Sequence, residues 1–260
     1  MKDRIISSII MAIIFVIFYL LGGNYFIFLT SFLSLFMYKE VISLKSYPKL
    51  VTIIGLISIL LIIIYNSIGY GFFMGIRHYT LILPLILLIL PSLLPKYQKK
   101  YLISDAFTLF AFITFIGLSI SSINSFMILN KNIILYLLSI TICNDVFAFL
   151  IGSKFGKIKY SKISPNKTLE GNIAGILFGS IAGVLVFALL ISKIDISYTI
   201  IITIVLNVAC QVGDLMFSKI KREHNIKDFS NLIKGHGGML DRMDSILFTS
   251  LVYMLIMTII

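Results

Sequence analysis

Residues 172–192 read NIAGILFGSIAGVLVFALLIS, 21 positions without an Asp, Glu, Lys or Arg. At ~1.5 Å of rise per residue, a helix of that length reaches across the ~30 Å hydrocarbon layer of a bilayer. Outward from it, comparable apolar runs occupy 5–21, 24–37, 51–69, 79–95, 102–121, 132–151, 197–217 and 244–260. The 260-residue chain is 59% hydrophobic and 13% charged, about half the charged share of a soluble domain. The fold class expected is all-α: a polytopic helical membrane protein with about nine transmembrane helices. A regular alternation of polar and apolar residues is absent, which argues against a membrane barrel.

The first run follows Met1–Arg4 and continues to Leu21 without a small-residue cleavage site, so it reads as a retained span. Only Gly22 and Gly23 separate it from the second, which predicts a tight hairpin. The second run is counted as a crossing although it is short for one, with a re-entrant segment as the alternative. Pro84, Pro91 and Pro95 predict a kinked or broken fourth span. With no internal repeat or long linker, one membrane domain is expected. Within it, residues 1–130 would supply packing or dimerisation helices, and 131–260 would be the catalytic half with cytoplasmic loops 152–171 and 218–243.

Charge predicts the orientation. With the amino terminus inside, segments 1–4, 38–50, 96–101, 152–171 and 218–243 hold 19 of the 22 Lys and Arg residues, leaving Arg77, Lys131 and Lys193 outside. That bias fits an amino terminus in the cytoplasm and a carboxyl terminus outside. It also explains the net charge of +11 without a nucleic-acid partner. Cys143 and Cys210 lie within apolar runs and read as packing residues. His78 and His224 read as surface residues.

Acids are more informative, because a carboxylate near lipid is costly. Of eleven acids, Asp105, Asp145 and Asp214 fall inside the apolar spans. Each lies towards its span's inner end, on the side of the charged loops. The longest polar stretch, Ser218–Asp244, reads SKIKREHNIKDFSNLIKGHGGMLDRMD and carries six bases and four acids. Asp241 and Asp244 are three apart and share one helix face. With Asp214 they form a set of hard carboxylates that suits Mg²⁺ better than zinc. Lys221, Arg222, Lys227 and Arg242, with the close-approach glycines Gly237 and Gly238, suit phosphates. For Asp241 and Asp244, capping of a helix start is an equally available role. His236 draws its interest from its glycine neighbours alone.

A second polar segment, 152–171, places Ser164-Pro165 before Lys167, Thr168 and Glu170. Lys167 is a candidate phosphate or carboxylate partner, whereas Thr168 and Glu170 also suit the start of a helix. No GxxxxGK[ST] or strand-borne GxGxxG occurs, which gives a soluble nucleotide-binding fold no support. Mg²⁺ carboxylates, phosphate-binding bases and a membrane site together point to phosphoryl or nucleotidyl transfer onto a lipid.

The 218–244 stretch resembles the signature of the phosphatidate cytidylyltransferases, or CDP-diacylglycerol synthases. The matching residues are Ser218, Ile220, Lys221, Arg222, Lys227, Asp228, Ser230, Ile233, His236, Gly237, Gly238, Met239, Asp241, Arg242, Met243 and Asp244. Lys234 departs, standing where the family has Pro or Gly. Upstream, Asp145, Phe155-Gly156-Lys157, Ser164-Pro165, Lys167-Thr168, Glu170-Gly171 and Gly213-Asp214 also match. The resemblance implies that CTP and phosphatidate become CDP-diacylglycerol and pyrophosphate at a site in the cytoplasmic leaflet of the cell membrane. It further implies Mg²⁺, allows a second, monovalent cation such as K⁺, and implies a homodimer. Asp214 and Asp241 would be first metal ligands, with Asp244 as a further ligand and Asp145 in support. Lys221, Arg222, Lys227, Lys167 and Arg242 would hold phosphates, with Asp228 and His236 in the catalytic set. Ser164, Thr168, Glu170, Ser218, Gly237 and Gly238 would line the substrates. A CDP-archaeol synthase or a CTP-dependent polyprenol kinase is the nearest rival. A transporter would show paired repeats and midplane charge, and a headgroup-binding protein would need bases alone.

Overall fold

In the computed structural model of the protein, the residues described are 2–68, 78–159, 161, 163–191, 196–233 and 237–259. Nine helices are present among them: α1 (Lys2–Leu21), α2 (Gly23–Ser43), α3 (Lys49–Ile68), α4 (Tyr79–Leu93), α5 (Ile103–Asn130), α6 (Asn132–Phe155), α7 (Leu169–Leu190), α8 (Ile196–Glu223) and α9 (Leu240–Ile259). Apart from isolated bridges at Lys159–Thr168 and Ile233–Gly237, the described residues form no strand pairing. Lipid offers no hydrogen bonds to the main chain, so helices that satisfy their own backbone are the stable solution for such a sequence. Seven of them, α2, α3 and α5–α9, are long and apolar enough to cross a bilayer, and the protein is an integral membrane protein. The apolar parts of α1 and α4, Ile6–Leu21 and Tyr79–Leu93, are shorter.

Several helices outrun the apolar runs that announce them. α2 continues to Ser43, so Tyr38–Ser43 belong to a helix and not to a loop. At 21 residues it spans ~31 Å, which removes the length argument for a re-entrant segment. α5 continues past residue 121 to Asn130 through Ser122 and Ser125, whose hydroxyls donate to the carbonyls of Leu118 and Ser121. Such back-bonding lets serine ride inside an apolar helix. α8 carries on through Ser218–Glu223, which puts Lys221 and Arg222 on helix rather than in a loop. α4 runs unbroken through Pro84 and Pro91 and stops before Pro95, where Leu94 is extended as a residue preceding proline prefers.

The chain forms two compact units. The first comprises residues 1–128 together with 228–242. In it α1 and α2 meet at the expected glycine turn, with Gly22 at φ 66° and Gly23 at φ 46°, and Phe15 packs edge-on against Phe26. Phe26, Met37, Tyr38, Ile59, Ile62, Leu88 and Ile113 are buried. A buried polar chain crosses this core: the Thr30 hydroxyl donates to Asn124 Oδ1 and Asn124 Nδ2 to the Ser67 hydroxyl. At the end of α2, Lys45 pairs with Asp105 at 2.7 Å. Asp105 also accepts from Leu102 N–H and so caps α5. Burial, and then the charge of Asp105, pushes the nearby Tyr47 phenol up to about 12.

The second unit comprises residues 129–227 and 243–260. Tyr136, Ile140, Leu206, Cys210, Phe217 and Leu247 are buried there, and the Tyr136 hydroxyl shares a 2.7 Å hydrogen bond with that of Thr203. α7 lies against α6 and α8 through glycines at every fourth position, 171, 175, 179 and 183, the small-residue spacing that lets membrane helices approach. A methyl group at Gly175 would lie 2.8 Å from the backbone and side-chain oxygens of Asn144, and one at Gly179 would run into Asn207 Oδ1. Leu177, Leu185 and Leu189 are exposed, as expected of a lipid-facing side.

Gly179→Leu is therefore expected to overpack this contact and cost about 1–3 kcal/mol. The check is the thermal unfolding midpoint in detergent. A midpoint equal to that of the parent would show that the helices can part here freely.

Candidate functional site

In the second unit, α6, α8 and the start of α7 enclose a cavity of about 220 Å³ lined by Asn144, Asp145, Lys167, Asn172, Gln211 and Asp214, among others. Its floor is built from carboxamides. Asn144 Nδ2 donates to Asn207 Oδ1 at 2.9 Å, and Gln211 Nε2 donates to Asn144 Oδ1 at 3.3 Å and to the Asn172 carbonyl at 2.9 Å. Each amide fixes the next, so the cavity is pre-shaped. At its wall the Lys167 ammonium pairs with the Asp214 carboxylate, both partly exposed. The Ser218 hydroxyl, one turn further along α8, donates to Asp214 Oδ1 at 3.4 Å. Asp145 is close to the Cys210 thiol, at 4.0 Å. Asp244, 9% exposed, lies within electrostatic reach of Asp214, Lys221 and Asp145.

Lys167 reaches Asp214 because its segment folds back on itself. Leu169 N–H donates to the Ile158 carbonyl, and the Glu170 carboxylate accepts from Ile158 N–H. Thr168 is the N-cap of α7 and accepts from Gly171 N–H at 3.2 Å. Thr168 thus caps α7, while Glu170 ties back the preceding segment at Ile158. Just past the carboxyl end of α8, Asn225 takes φ 56°, the left-handed conformation that closes a helix. The Arg222 guanidinium donates to the Ile226 carbonyl, while Lys227 is exposed.

Residues 228–242 of the 218–244 stretch belong to the first unit. Asp241 Oδ2 accepts from the backbone N–H of Phe229 at 2.8 Å and of Gly238 at 2.9 Å, closing the loop onto the first turn of α9. Gly237 has φ 84°, which glycine adopts without strain. The Glu40 carboxylate of α2 accepts from the Ser230 hydroxyl at 2.6 Å and from Met239 and Leu240 N–H at 2.8 Å. A methyl group at Gly238 would lie 2.6 Å from Glu40 Oε1.

A profile of the cytidylyltransferase family matches residues 2–260. The chain belongs to that family. Similar proteins include a Bacillus subtilis protein named phosphatidate cytidylyltransferase, 32% identical over 261 residues, covering 95% of this chain and 94% of its own. A Staphylococcus haemolyticus protein of the same name is 30% identical over 252 residues, 95% of each chain. One from Aquifex aeolicus, also so named, is 47% identical over 115 residues, 44% of this chain and 42% of its own.

Of the family residues expected from the sequence, Asp145, Lys167 and Asp214 share the cavity, and Asp244, Ser218 and Lys221 lie near it. Asp228, Gly237, Gly238, Asp241 and Arg242 belong to the first unit. Ser164 lies in the turn whose carbonyl accepts from Lys167 N–H. His236, with Lys234 and Gly235, lies outside the described residues. Among the described residues, no three or more His, Cys, Asp or Glu side chains are drawn together as a metal-holding group. Sequence reading missed the amides Asn144, Asn172 and Gln211, and it missed Glu40. The signal for Glu40 was an acid three residues before the end of a long helix, hidden by placing 38–50 in a loop.

Asn144→Leu should leave Gln211 and Asn207 short of partners and destabilise the protein by roughly 1–3 kcal/mol, despite the gain in apolarity. Unfolding in detergent monitors this. Unchanged or greater stability would mean that the amide chain contributes nothing.

Proposed function

We propose that this chain transfers CMP from CTP to phosphatidate, giving CDP-diacylglycerol and pyrophosphate. The observation that carries the reading is the match, over 95% of the chain, to proteins named for that activity. The cavity supplies chemistry of the right kind, with a lysine, carboxylates and carboxamides at the end of membrane helices.

The reaction needs positioning more than proton transfer. Phosphatidate carries a phosphate monoester that is largely a dianion near neutral pH, so its oxygen attacks the α-phosphorus of CTP unaided by a general base. The bond from that phosphorus to the β-phosphate's bridging oxygen breaks, and pyrophosphate departs. Lys167, Lys221, Arg222, Lys227 and Arg242 hold and neutralise phosphate oxygens, and charge placed in advance lowers the barrier.

Asp145 and Asp214 line the cavity with Lys167, and Asp244 lies within electrostatic reach of both acids and of Lys221. Among the described residues these acids are not gathered into a ready-made metal-holding group, so Mg²⁺ rests on the resemblance, by which Asp214 and Asp241 would be its first ligands and Asp244 a further one. Bound Mg²⁺ supplies charge neutralisation at phosphate oxygens. A second, monovalent cation such as K⁺ and a homodimer belong to the same proposal. So do nine crossings with the amino terminus inside, for which the distribution of Lys and Arg is the support.

The purified protein, given phosphatidate, Mg²⁺ and CTP labelled at the α- or γ-phosphate, should carry only the α label into the organic phase. In a parallel reaction with a polyprenol in place of phosphatidate, transfer of the γ label would establish a kinase instead, and no transfer of either label to phosphatidate would overturn the reading. Asp214→Asn should lower turnover by about 10²–10³-fold while the protein still inserts and purifies. Near-parental turnover in that variant would remove Asp214 from the site.

A further inference from the structure

We propose that Glu40 is a positioning residue for this transfer: its buried carboxylate holds the Asp228–Arg242 loop, and through it Asp241 and Arg242, in the working shape. The proposal rests on the reading of the chain as a CMP-transferring enzyme.

A glutamate only 4% exposed, set among the buried side chains of Met37, Tyr38 and Val41, is expensive to maintain. Apolar packing of α2 does not call for it. Its partners explain it, since its three hydrogen bonds to Ser230, Met239 and Leu240 all go to one loop 190–200 residues away in sequence. Met239 and Leu240 N–H belong to the start of α9, where backbone donors lack intrahelical acceptors and carry partial positive charge. Glu40 Oε1 takes Met239 N–H and the Ser230 hydroxyl, and Oε2 takes Leu240 N–H. Asp241, next in sequence, turns back to accept Phe229 and Gly238 N–H. The loop is thus clipped twice, by Glu40 to α2 and by Asp241 to itself. Phe229 and Leu240 are its buried apolar side chains among the described residues, and between them the two carboxylates act together with the Ile233–Gly237 backbone bridge. Gly238 is required beside Glu40 because any larger side chain would begin 2.6 Å from Oε1.

The geometry makes glutamine a poor substitute. A carboxamide has the same outline but presents an NH₂ on one side. Turned either way, that group faces a backbone N–H, of Met239 or of Leu240, and neither amide can reorient. The Ser230 hydroxyl can turn, but it relieves only one of the three contacts. Aspartate keeps the charge and both acceptors on a shorter arm.

The test compares full-length parent, Glu40→Gln and Glu40→Asp in detergent with phosphatidate, Mg²⁺ and α-labelled CTP. Glu40→Gln should lower kcat by roughly 10–100-fold. Its KM for CTP should stay within about threefold, the pattern of lost alignment rather than lost binding. Glu40→Asp should recover part of that kcat. Amide hydrogen exchange over residues 229–240 should quicken in Glu40→Gln, return towards the parent in Glu40→Asp, and stay unchanged in α6–α8. Unchanged exchange in that loop would overturn the tether. A lower unfolding midpoint with normal kcat per folded molecule would overturn the positioning role. If the parent itself transfers no CMP, the functional reading fails and the positioning claim with it, while the exchange data report separately on whether the tether exists.

Discussion

A carboxylate placed in so apolar a chain is matched where it stands, because lipid and apolar side chains cannot solvate it. Asp105 is matched by Lys45 and by a backbone amide, Asp214 by Lys167, Asp241 by two loop amides, and Glu40 by a hydroxyl and two amides. Each pairing joins a helix to a polar segment. The loops that carry the family's residues are thus held by charge, and the apolar helices supply a frame to which charge can be fixed.

The uncharged polar groups of the second unit obey the same constraint in weaker form. Asn144, Asn207 and Gln211 satisfy one another in sequence, which leaves the cavity's floor ordered before anything enters it. α7 can approach them because its facing positions are glycine, and the close contact at Gly175 involves Asn144 itself. Helix packing and site construction are therefore one problem here. The residue that shapes the cavity also fills the groove left by a missing side chain.

Family membership assigns a chemistry to this frame, and the cavity shows how the chain's own groups answer it. Lys167 and Asp214 sit far apart in sequence and meet because Thr168 caps α7 and Glu170 draws the preceding segment back. Residues that look like substrate contacts in a motif can thus serve by building the backbone on which a contact rests. Thr168, Glu170, Gly238 and Asp241 all have such structural work in this protein.

From residues alone, the helical membrane class was legible, because 59% hydrophobic composition in runs near 20 residues admits few other solutions. So was the reaction family, since a 27-position pattern of bases, acids and glycines is specific in linear order. The Gly22–Gly23 hairpin was legible for the same local reason. Helix ends were not: Tyr38–Ser43, Ser122–Asn130 and Ser218–Glu223 interrupt their apolar runs with polar residues and are helical by structure. Their serines bond back to the helix, and Glu40 finds partners across the fold. Only tertiary structure could disclose Glu40, Asn144 and Gln211. Their roles depend on donors and acceptors 190–200 residues away for Glu40 and on another helix for the amides, relations that linear order does not encode.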